Sequence, residues 1–124
     1  MSILSWNIRG LSKSEKVRAL KDSLFKFKLG IVFLSETKKK SSYLEKLRTK
    51  SIFSGSYYVD PRGLTSGLAL WWTEDINMTI LKESQNFIDT QISLKGGTPW
   101  YCTFLYGPPH KEDKQAFLVE ALIP

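Results

Sequence analysis

The sequence predicts an α/β fold in which an initial βαβ unit is followed by a mainly antiparallel meander of strands. Residues 1–6 and 31–34 are short apolar runs of strand type, and an amphipathic helical pattern lies between them. Strands joined in this way by a helix pair in parallel within one sheet. Later runs typical of β-strands occupy residues 52–59, 67–72, 76–81, 87–94 and 100–106.

Helical patterns occur in three segments. The first helix is predicted to begin near Ser12, which has capping-box spacing to Glu15, and to end at Gly30. Its apolar positions recur at helical spacing, at Val17, Leu20, Leu24 and Phe27. A shorter helix is predicted within the basic segment 37–50. A third is predicted at residues 111–123, where one helical side carries Phe117, Leu118 and Leu122.

The composition limits the kinds of partner and of metal site. The 124 residues carry a net charge of +6 and include one Cys and one His. A basic balance favours polyanions, nucleic acid first and anionic membrane second, although a merely solvated basic surface would also account for it. The single Cys102 excludes an internal disulfide, and one Cys with one His cannot form a His/Cys metal cluster. Any bound metal therefore needs oxygen ligands, which magnesium, manganese and calcium prefer.

The sequence contains no pattern typical of membrane insertion or secretion. No apolar stretch reaches the roughly 18 residues that a transmembrane helix needs, and no signal-peptide pattern is present. We therefore expect an intracellular protein, nuclear or cytoplasmic, that does not act at a membrane. No obligate protein partner is evident.

Polar residues follow the two strands of the βαβ unit. Asn7 lies at the end of the first strand and Glu36 directly after the second. Taken singly, a turn-forming Asn and a surface Glu are the ordinary interpretations. Parallel strands point their carboxyl ends at the same edge of a sheet, however, and ligands usually bind in the crevice there. The two residues together therefore predict a site in which Glu36 could hold a hard divalent cation and Asn7 could orient a phosphate or the carboxylate.

Several further residues are weaker candidates. Tyr106, at the end of a predicted strand, could donate a hydrogen bond to a phosphate, although an amphipathic residue at the edge of the core is the alternative. His110 follows two prolines, and a solvated loop histidine is its expected state. The run Lys38, Lys39 and Lys40 is the start of the densest basic stretch. It could line the approach to a phosphate backbone or form a solvated face.

Four segments, in this order, resemble the endonuclease/exonuclease/phosphatase superfamily. Residues 3–11 (ILSWNIRGL) are similar to its opening strand, and residues 31–38 (IVFLSETK) to the strand that ends in a metal-binding Glu. Residues 66–72 (SGLALWW) resemble its central strand, and residues 104–109 (FLYGPP) the strand that ends in an active-site Tyr. The residues of these segments, especially 33–38 and 106–108, are most similar to the amino-terminal half of the endonuclease domain of plant LINE-type retrotransposons.

The resemblance implies a partial four-layer α/β sandwich, with two sheets packed face to face and the second sheet incomplete. It implies a metal site with Glu36 and Asn7 as ligands for Mg²⁺, or alternatively Mn²⁺. Asn7, Glu36 and Tyr106 would be catalytic, and Arg9, Lys38, Lys39 and Lys40 would contact nucleic acid. The implied reaction is phosphodiester hydrolysis by an activated water, with DNA as the favoured partner.

The chain departs from the family pattern in its later motifs. No Gly-Asp-x-Asn run is present, and His110 follows Pro109 rather than an Asp. We therefore expect residues 1–124 to be a single truncated domain with weak or no activity on its own. Two alternatives are a superfamily phosphatase acting on lipid or nucleotide phosphates, and a non-catalytic basic module that binds nucleic acid.

Overall fold

The computed structural model describes residues 1–11, 14–63, 66–106 and 116–120, the last of these ranges by its backbone. The described residues form the following strands and helices, in chain order: β1 (Ser2–Asn7), α1 (Ser14–Lys26), β2 (Leu29–Ser35), α2 (Ser41–Arg48), β3 (Gly55–Val59), β4 (Leu68–Trp72), β5 (Ile76–Glu83), β6 (Phe87–Leu94), β7 (Trp100–Leu105) and β8 (Ala116–Glu120).

The first sheet is built around the predicted βαβ unit. Its strand order is β3-β4-β2-β1-β8. Strands β1 and β2 are parallel, with Asn7 opposite Ser35 at their carboxyl ends, which confirms the predicted parallel pair. The neighbouring pairs β2–β4, β3–β4 and β1–β8 are antiparallel. The two strands that end next to Asn7 and Glu36 thus lie side by side inside the sheet.

The second sheet is a three-stranded antiparallel meander with the order β5-β6-β7. Strand β6 alternates strictly, with Ile88, Thr90 and Ile92 buried and the intervening side chains only partly covered. This period of two is typical of a strand that buries one face. The mixed α/β fold with two sheets, as predicted from the sequence, is confirmed.

Two apolar clusters hold these layers together, and β2 contributes to both. Val32 and Leu34 face the cluster under α1 and α2, whereas Ile31 and Phe33 face the cluster between the sheets. A strand buried on both faces has a continuous apolar sequence, as β2 does. Burying this strand fixes the position of the residue that follows it, Glu36.

The neighbouring residues Trp71 and Trp72 point to opposite faces of β4. Trp71 is 1% exposed and packs in the cluster under the helices. Trp72 is partly buried and packs against the cluster between the sheets. Both rings therefore belong to the core.

The helix predicted at residues 111–123 is wrong where the structure describes it, because 116–120 form strand β8. This strand pairs antiparallel with β1, from Ser2 opposite Glu120 to Trp6 opposite Ala116. A short apolar run fits either period, and here the unpaired backbone groups along β1 favour the strand. Residues 111–115 and 121–123 of the predicted helix lie outside the described residues.

Helix α1 ends at Lys26, and Gly30 does not terminate it as predicted. Gly30 is the second residue of β2, since the chain resumes strand geometry at Leu29. A side chain at this position would overlap the side chain of Met1, which packs directly against the glycine. The glycine therefore permits a close packing contact rather than a helix cap. The predicted capping residue Ser12 lies outside the described residues.

Helices long and apolar enough to span a membrane do not occur among the described residues.

Candidate functional site

The site lies at the carboxyl ends of β1 and β2, where the chain continues in paired segments rather than free loops. The amide of Ile8 donates to the carbonyl of Ser35 at 3.1 Å, and the amide of Gly10 donates to that of Glu36 at 2.7 Å. The amide of Leu11 likewise donates to the carbonyl of Thr37 at 3.0 Å. The parallel pairing thus extends past both strands and holds the backbone of Glu36 beside the segment that follows Asn7.

A second set of backbone bonds holds the same segment from the other side. Thr37 donates its amide to the carbonyl of Gly67 at 3.1 Å, and Lys38 donates to Ser66 at 3.0 Å. Glu36 is therefore flanked by two neighbouring backbone segments, one leaving β1 and one leading into β4. A main chain paired on both sides is rigid, which is what a pre-organised site requires.

Three residues of this region adopt left-handed backbone conformations although none is a glycine. The φ angles are 51° at Arg9, 54° at Glu36 and 57° at Lys38. Such a conformation costs a non-glycine residue roughly 1–2 kcal/mol. Strained backbone persists where its surroundings impose it, and it clusters at functional sites. The concentration of all three next to the predicted metal ligands supports a site at this edge.

The Glu36 carboxylate is buried yet only lightly bonded. The residue is 7% exposed. The Tyr106 hydroxyl donates to Oε2 at 3.2 Å, and the Lys38 ammonium lies 3.9 Å from Oε1. The lysine side chain is 40% exposed, so this distant pair contributes little stability. The carboxylate retains lone pairs that a cation could use.

Asn7 presents a second oxygen at the same edge. Its side-chain Oδ1 is buried and accepts no hydrogen bond from the described residues. A buried carbonyl oxygen without a donor is costly and needs an explanation such as an ion or water. One carboxylate and one amide oxygen suit Mg²⁺, which commonly uses one or two carboxylates and keeps several waters. The residues present therefore fit a divalent cation.

Sites with three or more ligands from His, Cys, Asp and Glu do not occur among the described residues. The Glu36 and Asn7 pair is an incomplete ligand set. The remaining positions around a cation here would belong to water, substrate or other parts of the protein.

Tyr106 reaches Glu36 from the second sheet. It follows β7, and its amide donates to the carbonyl of Asn86, in the turn between β5 and β6, at 2.7 Å. Burial is the main cause that raises the pKa of Tyr106, and the neighbouring Glu36 charge raises it further, whereas Arg9 acts in the opposite direction. The hydroxyl is thus kept as a hydrogen-bond donor, and the Arg9 charge lies close enough to influence it.

The four predicted nucleic-acid contacts do not all lie together. Arg9 is partly buried near Tyr106, and Lys38 is exposed beside Glu36. The Lys39 ammonium lies 4.7 Å from the centre of the Tyr43 ring, a cation–π contact that turns it toward α2. Lys40 is exposed at the start of α2. The structure therefore brings Arg9 and Lys38 to the site and directs Lys39 and Lys40 toward α2. His110 lies outside the described residues.

The sequence did not reveal how Gly67 positions the site. Its φ is 117°, and a side chain there would overlap the hydroxyl of Thr37, which is fully buried next to Glu36. A glycine before a predicted strand signals a special backbone conformation, but the sequence cannot name the residue that it must admit. Gly10 also has a left-handed φ of 93°, and a side chain there would lie 3.3 Å from the side chain of Lys38.

Comparisons with known proteins agree with this architecture. A structure of humanized D. rerio TDP2 with 14 mutations superposes with a TM-score of 0.60 at 20% identity, covering 83% of this chain and 48% of that one. D. rerio TDP2 complexed with a single-strand DNA product gives a TM-score of 0.58 at 19% identity, covering 83% and 44%. This chain spans less than half the length of either structure. At these identities the likeness shows the fold alone.

Among curated proteins, none matches this chain. The family model described as endonuclease/exonuclease/phosphatase matches residues 4–123, nearly the whole sequence. The matched range includes β1 with Asn7, the strand that precedes Glu36, and Tyr106. On this match, the chain belongs to the endonuclease/exonuclease/phosphatase family.

Proposed function

We propose that this chain is part of a metal-dependent nuclease that cleaves phosphodiester bonds of nucleic acid, with DNA as the substrate. One observation carries the proposal: a buried, lightly bonded Glu36 carboxylate and a buried, unpartnered Asn7 oxygen lie at one edge of a parallel strand pair. The family supports phosphodiester hydrolysis. The single-strand DNA product bound to a TDP2 structure of the same fold supports nucleic acid as the substrate class.

Glu36 and Asn7 are the proposed ligands of the cation. Members of the family generally depend on a divalent metal, and we propose Mg²⁺, with Mn²⁺ as an alternative. When bound, such an ion supplies positive charge that stabilises the phosphate and the leaving oxygen. Glu36 also accepts the Tyr106 hydrogen bond, which orients its carboxylate.

The remaining residues are proposed to bind the substrate. Tyr106 keeps its proton, and its hydroxyl can turn from Glu36 to donate its hydrogen bond to a phosphate oxygen at the scissile position when substrate is bound. Lys38 borders the Glu36 carboxylate and Arg9 lies near Tyr106, and both supply positive charge for the phosphate backbone. Lys39 and Lys40 would extend this contact along the strand, more weakly because Lys39 already packs on Tyr43.

We propose that the activity of the 124 residues by themselves is weak or absent. The chain contains no Gly-Asp-x-Asn run and no Asp before its single His, so the groups that position the attacking water in the family pattern are missing from this sequence. Catalytic groups that act as a unit lose most of their effect when members are removed. We also propose that the chain derives from a LINE-type retroelement, which the amino-acid sequences of residues 33–38 and 106–108 support.

Metal binding is the first test, because it does not depend on turnover. Mn²⁺ titrated into the chain and followed by electron paramagnetic resonance should show one site, which Glu36→Gln removes and Asn7→Ala weakens. Glu74→Gln is the matched control, since Glu74 is exposed and far from Asn7 along the chain. Equal Mn²⁺ binding by the parent chain and Glu36→Gln would contradict the proposed ligands.

Substrate class is the second test. Mg²⁺-dependent nicking of supercoiled plasmid that is lost in Glu36→Gln supports the nuclease, even at a low rate. Phosphate release from inositol phosphates without nicking would favour the phosphatase alternative. Salt-sensitive DNA binding that needs no metal and survives Glu36→Ala, together with no nicking, would favour the non-catalytic module.

A further inference from the structure

An apolar groove lies at the opposite end of the first sheet from Glu36. It has a volume of about 550 Å³ and runs between the C-terminal ends of α1 and α2. The seven residues of β2 separate the two ends, and at ~3.3 Å per residue this is a distance of about 20 Å. A molecule in the groove would therefore leave the Asn7 and Glu36 edge open.

The groove is lined by large apolar side chains that include two highly exposed ones. Phe25 is 95% exposed and Ile52 is 73% exposed. Between them, the floor is formed by partly or fully buried residues of the helices and the following loop, Leu24, Phe27, Leu47 and Phe53. Single exposed apolar residues are ordinary, but two that border one apolar hollow mark an interaction surface.

Positive charge surrounds this hollow. The charged residues that line it are Lys21, Lys28 and Lys50, and no carboxylate is among its described lining residues. Beyond Ile52, Glu74 and Asp75 line a neighbouring surface depression together with Lys95. The lining is therefore basic on the helix side and carries a net negative charge past Ile52, so it can orient an occupant as well as attract it.

We propose that this groove binds an acidic amphipathic helix of a protein partner. Apolar side chains at positions i, i+3, i+4 and i+7 of that helix fill the space between Phe25 and Ile52, as in other helix-in-groove complexes. Its Asp and Glu residues face Lys21, Lys28 and Lys50 and avoid the side of Glu74. The surface is independent of the proposed nuclease site and needs neither metal nor nucleic acid.

The same observations disfavour other occupants. A membrane surface is flat, whereas the residues between Phe25 and Ile52 are more buried than those two and form a hollow that projecting side chains can fill. The carboxylates of Glu74 and Asp75 would also face an anionic bilayer. A symmetric pair of these chains would bring two lysine-rich rims together, which costs energy through like-charge repulsion.

Selection from a library unbiased in charge tests the proposal. The library displays helices of about 16 residues, with apolar residues at i, i+3, i+4 and i+7 and with Asp, Glu, Lys, Arg, Ser and Ala varied elsewhere. Selection on the 124-residue chain should enrich net-negative sequences. The selected peptides should lose at least about tenfold in affinity for Phe25→Ser, and a smaller factor for Lys28→Glu.

Matched variants distinguish binding in the groove from nonspecific hydrophobic or electrostatic binding. Tyr101→Ser removes another exposed large side chain, and Lys82→Glu reverses an exposed charge that lines neither depression, so both should keep the parent affinity. Circular dichroism should show that Phe25→Ser remains folded, because Phe25 is almost fully solvent-exposed. Four outcomes would overturn the proposal. They are no binder dependent on Phe25, enrichment of neutral or basic peptides, Phe25-dependent binding to phosphatidylserine vesicles in place of peptides, and Phe25-dependent self-association in ultracentrifugation.

Discussion

Two glutamates in this molecule are held in opposite ways. Glu45 on α2 has its carboxylate saturated by side chains: Arg48 donates from two nitrogens, and the hydroxyls of Tyr58 and Ser56 also donate to it. Glu36 is more deeply buried, yet its carboxylate has one hydroxyl donor and a distant lysine. Its position is fixed instead by the backbone on both sides.

The difference separates a structural carboxylate from one available to a ligand. The hydrogen bond from Arg48 is the main cause that lowers the pKa of Glu45, which shows that its charge is stabilised by the protein itself. The Glu36 charge has no comparable partner among the described residues, and the backbone around it is strained. Proteins keep such an arrangement where function requires it, since it contributes little to stability.

The largest effect is expected from disturbing the backbone around Glu36. Gly67→Ala should lower the free energy of unfolding by about 3 kcal/mol, because the new Cβ meets Thr37 and the φ of 117° suits only glycine. Gly96→Ala is the control: its φ is 79°, but the space around it is open, so about 1 kcal/mol is expected. Urea unfolding measures both. Equal losses would show that the contact with Thr37 is unimportant.

Removing the saturated carboxylate should have the next largest effect. Glu45→Ala leaves Arg48 and Tyr58 without their acceptor, and a loss of about 1–2 kcal/mol in the free energy of unfolding is expected after allowing for solvent exposure. Glu74→Ala, at an exposed turn position, should change stability by less than about 0.5 kcal/mol. Similar losses of stability for Glu45→Ala and Glu74→Ala would mean that the Glu45 cluster (Glu45, Arg48, Ser56 and Tyr58) does not hold α2 on the sheet.

The Glu45 cluster should also respond to alkaline pH. Burial, and then the hydrogen bond to Glu45, raise the pKa of Tyr58 from 10.0 to about 12. A raised pKa means that the neutral phenol contributes stability below pH 10, and that this contribution is lost as the pH rises toward 12. Urea midpoints measured from pH 9 to 12 should fall more steeply for the parent chain than for Tyr58→Phe. Parallel curves would contradict the buried hydrogen bond.

The smallest change in stability is expected at Glu36 itself. Glu36→Gln keeps the shape of the side chain and removes a charge that the described residues barely compensate, so the free energy of unfolding should stay within about 0.5 kcal/mol. A loss as large as that of Glu45→Ala would make Glu36 structural and would remove the contrast between the two residues.

Much of this arrangement follows from the sequence. The run before Glu36 is continuously apolar because β2 is buried on both faces. Together with the shorter apolar run before Asn7 and the helix between the two, it predicts a parallel pair of strands with a shared edge. The alternation in β6 likewise predicts a strand with one buried face. Sequence patterns of this kind depend on which faces of a strand are buried. The same faces stay buried over several residues, so the pattern can be recognised in the sequence.

The features that the sequence did not predict correctly depend on contacts with particular residues elsewhere in the fold. Residues 116–120 have an apolar pattern that fits a helix, and only the open edge of β1 makes them a strand. Gly30 has the signal of a helix cap, but Met1 packs where its side chain would be. The donors around Glu45 and the burial of the Asn7 side-chain oxygen are likewise set by tertiary contacts, which a sequence pattern does not encode.

The hydrogen bond between Tyr106 and Glu36 joins residues 70 positions apart and crosses from one sheet to the other. Closing so long a segment carries an entropy cost that only the docked sheets can offset. The site therefore exists only when both sheets have formed and docked. Sliding one sheet past the other by a single residue would move the phenol about 3.3 Å from the carboxylate, so this hydrogen bond reports correct docking of the two sheets.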